Sequence, residues 1–276
     1  MSVGGHIALT PIDDPADSRI EVFRDIRERD LVGRGGFIAE GAVVLDQLLA
    51  SSFFQPTALL VLRNRLAGLM PRLAGLRPGV PVYVAERAVF DAVAGFPVHR
   101  GVMAHAVRRP EKRPLSLPAM TARGALFTVA AGISNHDNMG AIFRNAAAFG
   151  VDAVILDETS CDPLYRKAIR VSVGSVLRVP FIRLGAVEQI VEELEGLGVE
   201  CLALAPGASV PLQRWRPAPS SALFLGAEGE GLPPAVWTRM KALRIEMAPG
   251  LDSLNVAHCA AIALHHAFLH RSPPAR

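Results

Sequence analysis

Three stretches of this 276-residue chain hold residues whose types and spacing could do chemistry, and all three lie in its second half. In Ser134-Asn135-His136-Asp137-Asn138-Met139-Gly140, followed by Ala141-Ile142-Phe143-Arg144-Asn145-Ala146, a polar loop runs into a helical pattern whose interior holds a single cation. Gly140 and Arg144 are four apart, hence on one helix face, and an arginine there leans back toward the helix N-terminus. That aims the guanidinium at the loop. The plain alternative is an exposed helix arginine, with Asn138 as an ordinary N-cap. The second stretch, Leu223-Phe224-Leu225-Gly226-Ala227-Glu228-Gly229-Glu230-Gly231-Leu232, is a strand pattern running into three glycines interleaved with two carboxylates. Glycines let a ligand rest against backbone, whose exposed donors and acceptors can read a purine edge. Glu228, nearer the strand end, is the better functional candidate, and Glu230 reads as a solvent-facing turn residue. The spacing is not G-x-G-x-x-G, and G-x-x-x-x-G-K-[ST] is absent, which disfavours a dinucleotide or triphosphate loop.

The third stretch, Asp252-Ser253-Leu254-Asn255, feeds the last hydrophobic helix, and Ser253 or Asn255 can cap it by accepting from its orphan N–H groups. Behind the turn, Val256, Cys259, Ala260, Ala263 and Ala267 recur at helical spacing as a small-residue stripe against which another backbone can approach. His258, His265 and His266, like His99 and His105, show no H-E-x-x-H or other ligand spacing, so packed or exposed histidines are expected and no metal. Cys161, Cys201 and Cys259 stand far apart and in no C-x-x-C pattern, which predicts reduced, structural thiols.

Placing these residues takes a sizeable core, and a chain that is 50% hydrophobic and 20% charged can build one, divided over two domains. A net charge of +3 and a pI near 9.0 allow an anionic partner without naming it. Met1 to Pro11 lacks a secretory pattern and no apolar run approaches the ~20 residues of a membrane span, so a cytoplasmic protein is the expectation. Up to Arg34, alternating charges such as Arg19, Glu21, Arg24, Asp25 and Arg27 read as a solvated helix face. Beyond the break at Gly33-Arg34-Gly35-Gly36, helices at 42–50, 66–76 and 87–93 alternate with strands at 57–62, 80–84 and 101–107, a small α/β domain over residues 1–110. The Pro- and Arg-rich residues 111–119 read as a linker. In 120–276, strands at 125–130, 153–156, 179–182, 201–205, 222–225 and 243–247 are separated by helices at 140–149, 164–171, 186–197 and 233–241. That pattern predicts a mostly parallel sheet covered on both faces, with ligands at its carboxyl ends, where all three stretches fall.

Taken in order, the three stretches resemble the motifs of the SpoU (TrmH-like) branch of the SPOUT RNA 2′-O-ribose methyltransferases. The resemblance rests on Asn138, Gly140, Ala141 and Arg144, on Gly226, Glu228, Gly229 and Gly231, and on Ser253 to Val256, with Ile169 to Ser175 similar to the family's link between the first two motifs. Phe37-Ile38-Ala39-Glu40-Gly41 and His99-Arg100-Gly101-Val102-Met103-Ala104 resemble its ribosomal-protein-like substrate-binding domain. Ala257-His258-Cys259 departs from the small or hydroxyl residues commoner there. The resemblance implies a C-terminal α/β domain tied in a deep trefoil knot, with S-adenosyl-methionine held bent in it. Gly226, Ile245 and Leu254, beside Leu225, Gly231 and Met247, would hold that cofactor largely through backbone, and a homodimer would form with the active site near its interface.

In mechanism, the resemblance implies that Arg144 activates the ribose hydroxyl, with Asn138, Glu228, Ser253 and Asn255 orienting arginine, ribose and cofactor. A guanidinium stays protonated in nearly all protein settings, which favours stabilisation of the developing alkoxide over literal proton removal and leaves the second as the alternative. Ribosomal or transfer RNA would be selected by the N-terminal domain, with Arg34, Arg100, Arg108, Arg109, Lys112 and Arg113 on its phosphates; for the linker cations a solvated tether is the alternative. Two rival readings stay open: a non-catalytic RNA-binding protein with the same two domains, and a methyltransferase of unrelated fold or another nucleotide-using α/β enzyme. The joint presence of Asn138, Arg144, Glu228, Ser253 and Asn255 weighs against the first, and the missing Rossmann fingerprint against the second.

Overall fold

The computed structural model describes residues 7–24, 28–95, 100–110, 115–251 and 253–271, and its strands form two separate sheets. One compact unit takes the residues up to Lys112 together with Leu164–Arg178, and the other takes Arg113–Pro163 and Val179–Arg276.

In the first unit the charged N-terminal stretch is not one helix. It gives β1 (Leu9–Ile12), a 3-10 turn over Ser18–Phe23 and α1 (Glu28–Gly33). Pro11 and Pro15 interrupt any continuous helix, the Asp17 carboxylate caps the 3-10 turn, and Ile20 and Phe23 are wholly buried. Asp25 and Arg27 lie outside the described residues. Then follow β2 (Gly36–Glu40), α2 (Ala42–Leu49), β3 (Phe54–Leu62), α3 (Leu66–Leu73), β4 (Val82–Ala85), α4 (Arg87–Ala94) and β5 (Val102–Arg108). The strand order is β1-β4-β3-β5-β2, with β1, β4 and β3 parallel and β5 antiparallel to both β3 and β2. Ile12, Ile20, Phe23, Ile38, Leu60, Phe90 and Met103 form a core in this unit.

The expected linker 111–119 already holds the start of α5 (Leu117–Thr121), capped by Ser116, and after it come β6 (Leu126–Ala130), α6 (His136–Ala148) and β7 (Ala153–Leu156). The chain then contributes an excursion that sequence spacing did not foretell: α7 (Arg166–Val171) belongs to the first unit and packs on β2, and the Ser51 hydroxyl donates to the carbonyl of Leu177. Gly174 closes this excursion with φ +81, where a Cβ would lie 2.8 Å from Gln47 Cγ. The second unit resumes with β8 (Phe181–Arg183), α8 (Val187–Gly196), β9 (Glu200–Leu204), β10 (Val210–Pro211), β11 (Ser221–Leu225), α9 (Pro234–Trp237), β12 (Lys241–Arg244) and α10 (Val256–His270).

Its seven strands run in the order β10-β12-β9-β11-β6-β7-β8, every pair parallel. β6, β7 and β11 are buried at every residue, as expected of strands covered on both faces. Three of the boundaries that differ from expectation bear on the site. α6 starts at His136 rather than Gly140, because Asn135 and not Asn138 caps it, its side chain accepting from the N–H groups of Asp137 and Asn138. The helix expected over 233–241 closes after four residues, since Lys241 already pairs in register with Leu202 of β9. β12 ends at Arg244, so Ile245 and Met247 lie past the strand.

The α10 face buried in the structure is Ala257, Ala260, Ala263, Leu264 and Ala267, and the helix packs on α6. Val256 and Cys259, expected on that stripe, are only half-buried and face the cavity described next.

Candidate functional site

The carboxyl end of β11 turns directly into the glycine loop, and its three glycines do different physical work. A Cβ on Gly226 would lie 2.3 Å from the carbonyl carbon of Gly231 and 2.4 Å from the nitrogen of Leu232, so the two ends of the loop touch through bare backbone. Gly229 and Gly231 sit at φ +86 and +71, in the left-handed region that glycine adopts without steric cost. The Gly231 N–H donates to the Ala227 carbonyl at 2.9 Å and closes the loop on itself.

The third stretch meets this loop at the start of α10. Asn255 is the N-cap: its Oδ1 accepts from the N–H of Ala257 at 2.9 Å and of His258 at 3.4 Å. Its Nδ2 donates at 2.9 Å to Oδ1 of Asn138, which is buried inside α6. Two turns further along α6, Asn145 Nδ2 donates to the Ala257 carbonyl at 2.7 Å. Two asparagines seven apart on α6 thus lash that helix to the first turn of α10. Asn145 was missed in sequence, although its spacing from Asn138 puts both on one face.

A second device missed in sequence holds the loop after β6. Asp157 is buried, and its carboxylate accepts from the Gly132 N–H at 3.1 Å, the Thr159 hydroxyl at 2.6 Å and the Ser160 N–H at 2.8 Å. Ser160 Oγ accepts from the Ile133 N–H and donates to the Ala130 carbonyl, while Arg183 donates to the carbonyls of Asp157 and Ser160. Each buried polar group there is satisfied, so the loop is rigid where it passes Ala227, whose Cβ lies 3.1 Å from the place a Cβ on Gly132 would take.

Between these parts lies a cavity of about 890 Å³. It is walled by the whole glycine loop from Gly226 to Leu232, by Leu225, by Ile245 and Met247 beyond β12, by Ser253 to Val256, and by the chain leaving β9 at Ala203 to Pro206. Glu228 and Glu230 both line it, and both are exposed, Glu230 in the turn of the glycine loop as expected. Trp237 and Cys259 are lining residues without a warning in the sequence; burial pushes the Cys259 thiol upward, which keeps it a neutral wall. Asp252 lies outside the described residues.

The first stretch reaches the cavity only through the Asn138–Asn255 tie. Arg144 is exposed, makes no hydrogen bond or ion pair among the described residues, and is not part of the cavity wall. The described histidines include packed and exposed ones: His258 and His265 are exposed, His266 stacks on Trp215, and the half-buried His105 lies against Thr57 Oγ1. His99 lies outside the described residues.

A cavity of this size, at the carboxyl ends of parallel strands with a backbone-lined glycine loop, is a small-molecule site. Residues 125–265 match the model of the SpoU rRNA Methylase family, and over 91% of its length the chain is 41% identical to a tRNA/rRNA methyltransferase of Mycobacterium tuberculosis, covering 89% of that protein. The chain belongs to the SpoU rRNA methylase family. This SpoU methylase is also 28% identical, over 83% of its length and 87% of the relative's, to the Bacillus subtilis 23S rRNA (guanosine(2553)-2′-O)-methyltransferase RlmP. Its fold matches that of an S-adenosyl-methionine-bound rRNA methyltransferase from Sinorhizobium meliloti with a TM-score of 0.80, covering 95% of this chain and 98% of that one at 21% identity. The protein is an RNA methyltransferase with S-adenosyl-methionine as its methyl donor. The cavity fits that donor: bare backbone at Gly226 to Gly231 for a purine edge, apolar Ile245, Met247 and Leu254 for the adenosine, and two carboxylates for a cationic sulfonium.

The cations expected to touch RNA fall into two groups in the first unit. Arg34 precedes β2 at the end of the sheet where Gly36 pairs with Val107, and beside it Arg108 ends β5 and Arg109 follows it. Arg108 lies over the Phe54 ring at 5.1 Å, and Arg109 donates to the Ser51 carbonyl at 3.4 Å. Arg100 stands at the other end of the seven-residue β5, roughly 20 Å away. Lys112 and Arg113 lie outside the described residues.

Proposed function

We propose that the acceptor is a ribose 2′-hydroxyl of ribosomal or transfer RNA, that the enzyme works in the cytoplasm as a homodimer, and that α10 completes a trefoil knot around the cofactor cavity. The observation that carries this reading is the Asn255–Asn138 hydrogen bond, which joins the helix bearing Arg144 to the rim of the donor cavity. The donor supplies an electrophilic methyl group on a sulfonium. The chain's residues do the rest: Gly226, Gly231, Leu225, Ile245, Met247 and Leu254 seat the adenosine, while Glu228, Ser253, Asn255 and Asn138 orient the reacting groups. Arg144 stabilises the alkoxide as the hydroxyl loses its proton, and the first unit holds the RNA.

Because Arg144 lies outside the wall of its own cavity, it is free to serve the cavity of a second copy. Ile262, Phe268 and Leu269 on α10 leave 41%, 57% and 60% of their surface exposed, which suits a helix face that meets such a copy. The test is Arg144→Ala, expected to lower methyl transfer to RNA by at least ~100-fold with cofactor affinity unchanged; normal turnover removes Arg144 from the mechanism. Mixed dimers of Arg144→Ala and Gly226→Ala chains, isolated through two affinity tags, then keep one intact cavity of two and about half of wild-type activity. No activity above the parents means that Arg144 serves its own chain.

A further inference from the structure

We propose that Arg65 and Arg100 form a two-pronged phosphate site on the first unit, through which the enzyme grips the RNA backbone; this rests on the reading of RNA as substrate. Several arginines have a carboxylate of their own. Arg63 pairs with Glu86, Arg72 with Asp46, Arg87 with Asp91, Arg239 with Glu192 and Glu195, and Arg271 with Asp152. Arg65 and Arg100 are exposed and have no hydrogen-bond or ion-pair partner among the described residues.

Their stems are nevertheless seated. The place a Cβ on Gly101 would take, at φ +67, lies 2.5 Å from Arg65 Cγ; at Gly41, φ +97, it lies 2.8 Å from Arg100 Cδ. Each stem therefore lies across a bare stretch of main chain, and any side chain at either glycine would displace it. The seats themselves are held by the sheet: the Leu62 N–H donates to the Gly101 carbonyl and the Gly41 N–H to the Val102 carbonyl, both at 2.9 Å. This puts the two arginine stems on one rim, where β3 ends, β5 begins and β2 ends. Carboxylates at the same end of the sheet stand to one side: Asp13 and Asp14 follow the edge strand β1, and Glu86, after β4, is occupied by Arg63. Glu40, at the end of β2, pairs with neither arginine. Two cations with ordered stems and unengaged heads are what a phosphodiester needs, since less side-chain freedom is lost when it binds. Arg108 and Arg109, by contrast, already have their heads against Phe54 and Ser51.

The test measures binding of a fluorescein-labelled 30-nucleotide RNA to the full-length protein against salt, together with methyl transfer to hypomethylated total RNA. For Arg65→Gln/Arg100→Gln the slope of log K against log salt should flatten by about 1.4, two contacts at ~0.7 each. KM for RNA should rise, with kcat and cofactor affinity kept. Arg65→Lys/Arg100→Lys should restore the slope, and Arg72→Gln, which removes a paired cation, should leave it alone. An unchanged slope in the double Gln variant, or an equal flattening in Arg72→Gln, overturns the proposal while methyl transfer by the wild type upholds RNA as substrate. A wild type that neither binds nor methylates RNA overturns both.

Discussion

Asn255 does two jobs with one side chain, and a single substitution separates them. Its Oδ1 caps α10 and its Nδ2 ties the cap to Asn138. Asn255→Ser keeps a capping oxygen, since serine and asparagine are about equal at that position, but has no donor that reaches Asn138. Asn138 is 7% exposed, so its Oδ1 is left in a buried setting without its partner. The cost of such an orphaned acceptor is ~1–3 kcal/mol, and the exposed Asn255 side lets water recover part of it, which leaves about 1–2 kcal/mol. Asn255→Ala loses the cap as well, about 1 kcal/mol more. Urea unfolding reads these differences. Hydrogen exchange at the Ala257 and His258 amides reads the cap alone, and protection there should survive in the Ser variant and fall in the Ala variant. Adding Asn138→Ala to Asn255→Ser should cost less than the two changes separately, by ~1 kcal/mol of coupling. An Asn255→Ser protein as stable as wild type, or strict additivity with Asn138→Ala, refutes the idea that the tie joins the first motif to the cavity.

Two further predictions follow from local geometry. Gly226→Ala places a methyl within van der Waals overlap of Gly231 and Leu232 backbone, which has no flexible end to yield, so the loop must open; cofactor affinity measured by calorimetry should fall by at least ~10-fold, with the helical content of the protein kept. Glu200 is partly buried, which alone would raise its pKa, but hydrogen bonds from Trp215 Nε1 and Lys241 Nζ, with the Ala218 N–H, outweigh this and hold it below the ordinary carboxylate value. A folded-state pKa below the unfolded one means that the stabilisation is present above the unfolded value and is lost as pH falls through the folded one. Glu200→Gln should therefore unfold more easily than wild type at neutral pH, and the difference should shrink in acid titration below about pH 4; a gap that persists or widens in acid refutes this.

Legibility tracked how local the cause was. The apolar runs at 126–130, 153–156 and 221–225 could be read as buried parallel strands because every residue in them is inward on one face or the other. Asn255 could be read as a cap because capping needs only its own neighbours. The helix expected over 233–241 failed because pairing of Lys241 with β9, a partner some forty residues away, overrides helical continuity. Asp157 and Ser160 carried no sequence signal, since their value lies in backbone groups of a loop brought to them by β6 and β7. Arg65 was passed over because nothing along the chain distinguishes it from Arg63, which has a carboxylate within reach.

From residue types and order alone came the two α/β regions, the three chemical stretches and the resemblance to the SpoU methylases, because periodicity, glycine placement and motif order are written along the chain. Tertiary structure alone decided that 164–178 belongs with the first unit, that Gly226 must be bare because the returning Gly231 backbone touches it, and that Asn138 is a buried acceptor rather than a cap. It also decided that Arg144 stands outside the wall of its own cavity. The physical reason is common to all four: each depends on which distant backbone arrives beside a residue, and a one-dimensional pattern carries no distance between segments that meet only on folding.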